Sequence, residues 1–311
     1  MWGDAADARI VDETVDSAQW SSTPSQWLSQ FLGYEVKLIQ FDSEGVSREA
    51  FPLYKPPVLA KGDTLEELRT PRGIEFQDEY PLLIATLESL DDLQEQIREA
   101  TFALYATDRR GGLSVAGKLF EPANWRDKIL QSTQAAEAVV SDDSKTDTQR
   151  RRDWLNIQRF RPNIVLRSCA STDKPSIKAW EEDFWTKLEF RASSGSPSNP
   201  GSKEEPAETS APATTIEMHL VSRCQRCLLT TVDPTTAERD VSVPLAFLRR
   251  SRNQVKKVPL DEKGLPKQGD EKGKPGPCFG MYAVVPEGRG GEVSIGDDVT
   301  CFWANNTEQF G

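Results

Sequence analysis

Apolar positions recur along the chain in two periods, and each period predicts a different kind of element. After Thr23-Pro24, where Thr suits a helix cap and Pro the first turn, Trp27, Leu28, Phe31 and Leu32 share one helical face. Gly33 ends that run, and Tyr34 to Phe41 (YEVKLIQF) predicts a strand. Pro81 to Thr86 (PLLIAT) predicts a short buried strand. Ser89 then caps a second helix with Asp91 and Asp92 in its first turn and Leu90, Leu93 and Ile97 on its apolar face. Asn163 to Leu166 predicts another strand. The last forty residues alternate apolar and polar between Gly280, Gly288, Gly290, Gly291 and Gly296, the punctuation of β-hairpins.

Between these elements the pattern fades. Residues 1–22 are acidic, with isolated apolar positions, and predict disorder. Residues 42–75 hold four prolines and predict loop. Three polar stretches, at about 104–152, 193–215 and 256–274, predict flexible insertions. The second, SSGSPSNPGSKEEPAETSAPATT, has four prolines and almost no large apolar side chain with which to offset ordering entropy.

Composition narrows the function classes. The 311 residues carry 38 Lys plus Arg against 49 Asp plus Glu, a formal charge of −11, which argues against a nucleic-acid surface. Mean hydropathy is −0.56, yet 8 Trp and 13 Phe are too many for a disordered chain. No apolar run approaches the ~18–20 residues of a membrane span. The acidic N-terminus lacks the apolar core of a secretory signal. The five cysteines, Cys169, Cys224, Cys227, Cys278 and Cys301, predict reduced thiols in a reducing compartment.

A single histidine, His219, removes the His-rich zinc, two-His iron and bis-histidine haem classes. No nucleophile elbow, dinucleotide fingerprint or P-loop occurs. What remains is Arg223-Cys224-Gln225-Arg226-Cys227 followed by Leu228-Leu229-Thr230-Thr231-Val232-Asp233-Pro234. Alone, this C-x-x-C is compatible with half a zinc site, a redox dithiol, a single soft thiolate ligand or a buried structural pair. The β-branched run after Cys227 predicts strand or turn. Arginines at 223 and 226 suit a lowered thiol pKa and anionic ligand groups.

The context resolves the ambiguity. Cys227-x-x-Thr230-Thr231-Val232-Asp233-Pro234 resembles the core motif of the MOSC family, named for the C-terminal domain of molybdenum-cofactor sulfurase, and within it the amidoxime-reducing branch. The resemblance is colinear. It runs through Trp27-Leu28-Ser29-Gln30-Phe31-Leu32, Phe76-Gln77-Asp78-x-x-Pro81-Leu82-Leu83, Ser89-Leu90-x-Asp92-Leu93 and Arg159-Phe160-Arg161-Pro162-Asn163-Ile164-Val165. Glu182-Asp183-x-Trp185, the Cys block, Pro244-Leu245-x-x-Leu248, Phe279-Gly280-x-Tyr282 and Gly291-x-Val293-x-Ile295-Gly296-Asp297-x-Val299 continue it. Each block alone is weak, and their shared order is what carries the likeness.

The resemblance implies a β-rich α+β fold: a MOSC-like β-barrel with peripheral helices and disordered insertions, with the MOSC domain over 76–311. It also implies that 23–75 is a remnant of the family's N-terminal, β-barrel-like domain. The family's opening Tyr-Pro-(Val/Ile)-Lys-Ser strand is not found, and Asp108-Arg109-Arg110 stands in the wrong order to replace its arginines. The implied function is a molybdenum-cofactor (molybdopterin) oxidoreductase that reduces N-hydroxylated small molecules. Its implied partners are a cytochrome b5-type electron donor and an NADH-dependent reductase. The alternative is a degenerate, non-catalytic module that binds or carries the cofactor or a sulfur. By the same resemblance Cys227 is the protein thiolate on molybdenum, with Arg161, Asn163, Arg226 and Gln225 around the pterin. The implied location is intracellular, and mitochondrial if an anchor precedes Met1.

Other residues have ordinary readings. His219 is expected as a satisfied strand histidine, Glu181-Glu182-Asp183 as a solvated face, and Asp297-Asp298 as a turn. The tryptophans are expected in the core or at its rim. The Lys-rich stretch at 256–274 is balanced by acids and forms no basic patch. Glu79, where relatives carry a small or hydroxyl residue, is unfavourable beside an anionic ligand if it points inward.

Overall fold

The computed structural model describes residues 6–10, 13–41, 77, 79–107, 114–115, 118–139, 154–169, 176–191, 215–240, 242–255, 274–286, 288–303 and 306–310. The insertion expectations for 193–214 and 256–273, and the loop expected over 42–75, lie outside them.

The chain opens with β1 (Ala6–Ile10), β2 (Glu13–Ser21), α1 (Ser22–Leu32) and β3 (Leu38–Phe41), and the three strands form an antiparallel sheet in that order. Of the disorder expected over 1–22, residues 6–10 and 13–22 are corrected, the others lying outside the described residues: Ala6, Ala8 and Ile10 alternate with polar residues, and composition masked that period. The strand expected from Tyr34 begins only at Leu38. The preceding backbone bonds to α1 instead, with the Val36 amide donating to Ser29 Oγ at 2.9 Å and the Leu38 amide to Ser25 Oγ at 2.8 Å.

Next come β4 (Leu82–Thr86), α2 (Leu87–Thr107), a two-residue ribbon of β5 (Ser114–Val115) and β6 (Lys118–Leu119), and α3 (Pro122–Val139). The cap of α2 is Thr86 rather than Ser89: Thr86 Oγ1 accepts from the Ser89 amide at 3.2 Å. Leu90, Leu93 and Ile97 are buried as their spacing predicts. Within the flexible insertion expected over 104–152, residues 108–113, 116–117 and 140–152 lie outside the described ones, and the expectation is corrected where the chain forms α3. Its buried Trp125 and Ile129 lie one helical turn apart, and Trp125 Nε1 donates to Asp240 at 2.8 Å. Two apolar residues in a polar stretch anchor the helix despite its composition.

A 3-10 turn (Ile157–Phe160), β7 (Ile164–Leu166), a second such turn (Glu181–Phe184), β8 (Trp185–Arg191) and β9 (Ile216–Gln225) follow. The chain continues with a third turn (Leu228–Thr231), α4 (Leu245–Ser251), β10 (Asn253–Gln254), β11 (Gly276–Val284), β12 (Asp298–Trp303) and β13 (Asn306–Phe310). The main sheet runs β13-β12-β8-β9-β11-β4-β7, with β10 on β11, and β4 and β7 pair in parallel while the other described pairs are antiparallel. It curls into a half-barrel with helices around it, the β-rich α+β architecture expected.

The two sides of the sheet hold different cores. Trp185, Leu188, Met218, Leu220, Met281 and Ala283 fill the curl, while α2, α3 and α4 close over Phe160 and Phe279. Those two rings stack with centroids 3.8 Å apart. Gly280, at φ +79°, lets β11 press against β4: a Cβ there would lie 2.7 Å from the Ile84 carbonyl oxygen. On the outward face of β8 and β9, His219 is buried with Nε2 2.8 Å from Glu217 Oε1. Lys187 and Arg289 balance Glu217 and Glu189 there, and the histidine is a buried strand residue as expected, bonded through Nε2 while its Nδ1 has no hydrogen-bond partner among the described residues.

Candidate functional site

Strand β9 ends one residue before the second arginine of the Cys block, and what happens at that end defines the site. Cys224 is still in the strand and 2% exposed. Cys227 lies beyond it in an extended conformation (φ −101°, ψ −177°), exposed, immediately before the turn Leu228–Thr231. Thr230 and Thr231 are buried, and their hydroxyls donate to the carbonyls of Cys227 (3.0 Å) and Leu228 (2.6 Å). A Thr-Thr pair thus winds the chain so that Cys227, Leu228 and Leu229 face outward.

Arg226 binds this segment to the turn Ile157–Phe160. Its guanidinium donates to Cys224 Sγ at 2.7 Å and to the Phe160 carbonyl at 2.6 Å, and its amide donates to Pro277 at 2.7 Å. Its Nε is buried with no hydrogen-bond partner among the described residues. The next residue along the other turn, Arg161, is exposed in the left-handed region (φ 51°, ψ 45°). A non-glycine residue held there carries on the order of 1–2 kcal/mol of strain. Asn163 completes this stretch by mimicking a strand partner: Leu83 donates to its Oδ1 at 2.8 Å, and its amide donates to the Leu83 carbonyl at 2.9 Å. Gln225 is used otherwise. Its Nε2 donates to the carbonyls of Gln254 (3.0 Å) and Lys274 (2.9 Å), which braces β10 and leaves Oε1 as its only group for a ligand.

Arg159 ties the same two turns a second time, donating to the Thr231 carbonyl at 3.3 Å and to Asp233 Oδ2 at 2.5 Å. Burial lowers the Arg159 pKa against the pull of Asp233. Burial opposes ionisation of Asp233, but the amides of Thr235 and Thr236 with the charges of Arg159 and Lys128 hold its carboxyl below the usual range.

Behind the strand lies a buried ionic cluster. Asp183 accepts from Arg223 Nε at 2.8 Å and from Arg252 at 2.5 Å, and Arg252 stacks over the Trp180 ring at 4.5 Å. Glu182 is fully buried and accepts from Ser89 Oγ (2.8 Å) and Thr86 Oγ1 (3.1 Å). Burial, reinforced by the neighbouring Asp183, pushes its carboxyl up to about 7. The solvated face expected for Glu181-Glu182-Asp183 is therefore corrected. A 3-10 turn points successive side chains in three directions, and two of them enter the core. The expected turn at Asp297 is seen, with its carboxylate accepting from the Ser294 amide at 2.7 Å.

Around Cys224 the surroundings are those of a neutral thiol. Burial pushes it up, against the pull of Arg226 and a hydrogen bond with Tyr282. The charge of Glu79 acts on both Cys224 and Tyr282, which places that carboxylate on the Cys224 side of the sheet.

The structure thus brings together Cys227, Arg226, Arg161 and Asn163 on adjoining turns and sets Gln225 to bracing. Arg159 and Asp233 stand in the sequence motifs, but nothing in the sequence marked them as a pair. Among the described residues no group of three or more His, Cys, Asp or Glu forms a metal-ligand set.

The MOSC domain family model matches residues 126–300 of the chain. The mitochondrial amidoxime reducing component 2 of Bos taurus is 28% identical over 162 residues, 52% of this chain and 35% of the relative. The human mitochondrial amidoxime-reducing component 1 is 28% identical over 182 residues, 58% of this chain and 40% of the relative. The mitochondrial amidoxime reducing component 2 of Macaca fascicularis is 28% identical over 292 residues, 94% of this chain and 55% of the relative. The chain spans between about a third and just over half the length of these relatives.

Proposed function

The chain belongs to the MOSC domain family, and on that premise we propose that it binds the molybdenum cofactor with Cys227 as the protein's ligand to the metal. The observation that carries this reading is the exposed Cys227 thiol, held on a turn that Arg226 fastens to the turn bearing Arg161. The residues present suit the group. A thiolate is the soft donor that a metal already bound by dithiolene sulfurs accepts, and binding releases the thiol proton to solvent. The Arg161 side chain is exposed and makes no hydrogen bond or ion pair among the described residues, so its fork is available to a phosphate. Arg226 adds positive charge, Asn163 offers Nδ2 to a pterin edge, and Gln225 offers Oε1.

When bound, the cofactor supplies two-electron redox chemistry for reductive removal of an N-hydroxyl oxygen. The relatives' names point to amidoximes as the substrate class. Electrons come, in this reading, from a cytochrome b5-type donor served by an NADH-dependent reductase. The chain's own residues hold and orient: Leu228 and Leu229 flank Cys227 with apolar surface that limits water there, and the arginines fix the anionic end of the cofactor.

Arg161→Ala tests the reading. An exposed arginine contributes little to stability, so the variant keeps the parent's Tm while its cofactor content, measured as released oxidised pterin per chain, falls. Equal pterin in variant and parent would overturn the assignment of Arg161.

A further inference from the structure

The arginine two residues before Arg161 and the aspartate six residues after Cys227 meet although 74 positions separate them in the chain. Among the described residues two side-chain ties hold the two turns together in parallel. One is Arg226 on the Phe160 carbonyl; the other is Arg159 on Asp233 and on the Thr231 carbonyl. The Arg159 side chain is 2% exposed and that of Asp233 is 24% exposed.

The two oxygens of Asp233 divide the work. Oδ1 accepts from the amides of Thr235 (2.9 Å) and Thr236 (3.2 Å) and shapes its own turn, while Oδ2 takes the Arg159 guanidinium. The Asp233 backbone is fixed as well, donating to Glu238 at 2.8 Å and accepting from Ala237 at 2.9 Å. Arg159 therefore grips a rigid post. Buried ion pairs contribute little net stability, and setting register between elements is their best-attested use. We propose that Arg159 and Asp233 are positioning residues of the cofactor site, a latch that fixes the Arg161 turn against the Cys227 turn. The proposal rests on reading Cys227 and Arg161 as cofactor-binding residues.

The test compares Asp233→Asn, Arg159→Gln, their double variant and Arg159→Lys with Ile129→Ala. The last is a control in the buried face of α3, compared at matched fractional stability in urea. Asp233→Asn keeps the oxygen that caps Thr235 and Thr236 and replaces the charged acceptor facing Arg159 with an amide NH2 that cannot accept from it. Two quantities are measured: amide exchange in peptides covering 157–161 and 228–233 of the cofactor-free protein, and pterin retained per chain after loading.

The latch predicts that Asp233→Asn speeds exchange across the gap, at 157–161, roughly tenfold relative to the control. It also predicts roughly tenfold weaker pterin retention, the scale of a lost supporting contact. The double variant matches Arg159→Gln, because that substitution already removes the partner of Asp233 together with the bond to the Thr231 carbonyl. Arg159→Lys, which keeps the cation, recovers part of the retention lost in Arg159→Gln. Exchange and retention that follow the Ile129→Ala control overturn the proposal, and so do single effects that add in the double variant. A parent chain that retains no pterin refutes the cofactor reading, while the exchange measurement still decides whether the two turns are latched.

Discussion

Arg226 donates a hydrogen bond to the sulfur of Cys224 at 2.7 Å on the buried side of β9, while Cys227, three residues on, is exposed past the strand's end. The two cysteines of the C-x-x-C therefore do different things. Strand alternation sets them apart at the sequence level, but the actual cause is the end of β9 at Gln225 and the turn wound by Thr230 and Thr231. Cys224 holds an arginine, and Cys227 is left for a ligand.

This asymmetry predicts an alkylation pattern. Iodoacetamide applied to the native protein modifies the exposed Cys227 and Cys169, read by peptide mass mapping. Cys224, Cys278 and Cys301 are buried; burial pushes Cys224 upward and the other two to about 12, so they stay unmodified until urea unfolds the chain. Native labelling of Cys224 as fast as that of Cys227 contradicts the placement.

Glu182 predicts a pH dependence whose sign follows from its raised pKa. The folded state holds the proton up to about 7, whereas the unfolded carboxyl releases it near its ordinary 4.5. Its contribution is thus fully present below 4.5 and is lost as pH rises toward 7. A shift of that size corresponds to on the order of 3 kcal/mol. Urea unfolding from pH 5 to 8 should show parent stability, relative to Glu182→Gln, declining across that range. A constant difference between the two proteins sinks the idea.

Asp183 faces two arginines, so its removal leaves both buried charges without it. Asp183→Asn is expected to cost about 3–5 kcal/mol in urea unfolding, the scale for breaking a buried pair from one side. A loss below ~1 kcal/mol, the scale of an exposed pair, contradicts the burial of this cluster.

Much of the fold was legible because period and burial agreed. The apolar face of α2 and strand β4 follow directly from spacing. The errors share a physical origin. Helix α3 hides in polar composition because Trp125 and Ile129 are the large apolar side chains it buries among the described residues. Glu182 and Asp183 look solvated because their partners, Ser89, Arg223 and Arg252, come from three distant segments. The site was legible as residue types in an ordered motif. Its fastening was not, since the Arg159–Asp233 pair exists only after two turns far apart in sequence are folded together.

X-ray absorption on cofactor-loaded protein tests the central claim most directly, by counting sulfur neighbours at molybdenum in the parent, Cys227→Ser and Cys224→Ser. Exchanging Cys227 for serine replaces a soft thiolate with a hydroxyl that ionises poorly near neutral pH. The account predicts one fewer sulfur neighbour in Cys227→Ser, with some cofactor still held through Arg161 and Arg226, and an unchanged sulfur count in Cys224→Ser. A sulfur neighbour lost in Cys224→Ser and kept in Cys227→Ser would contradict it.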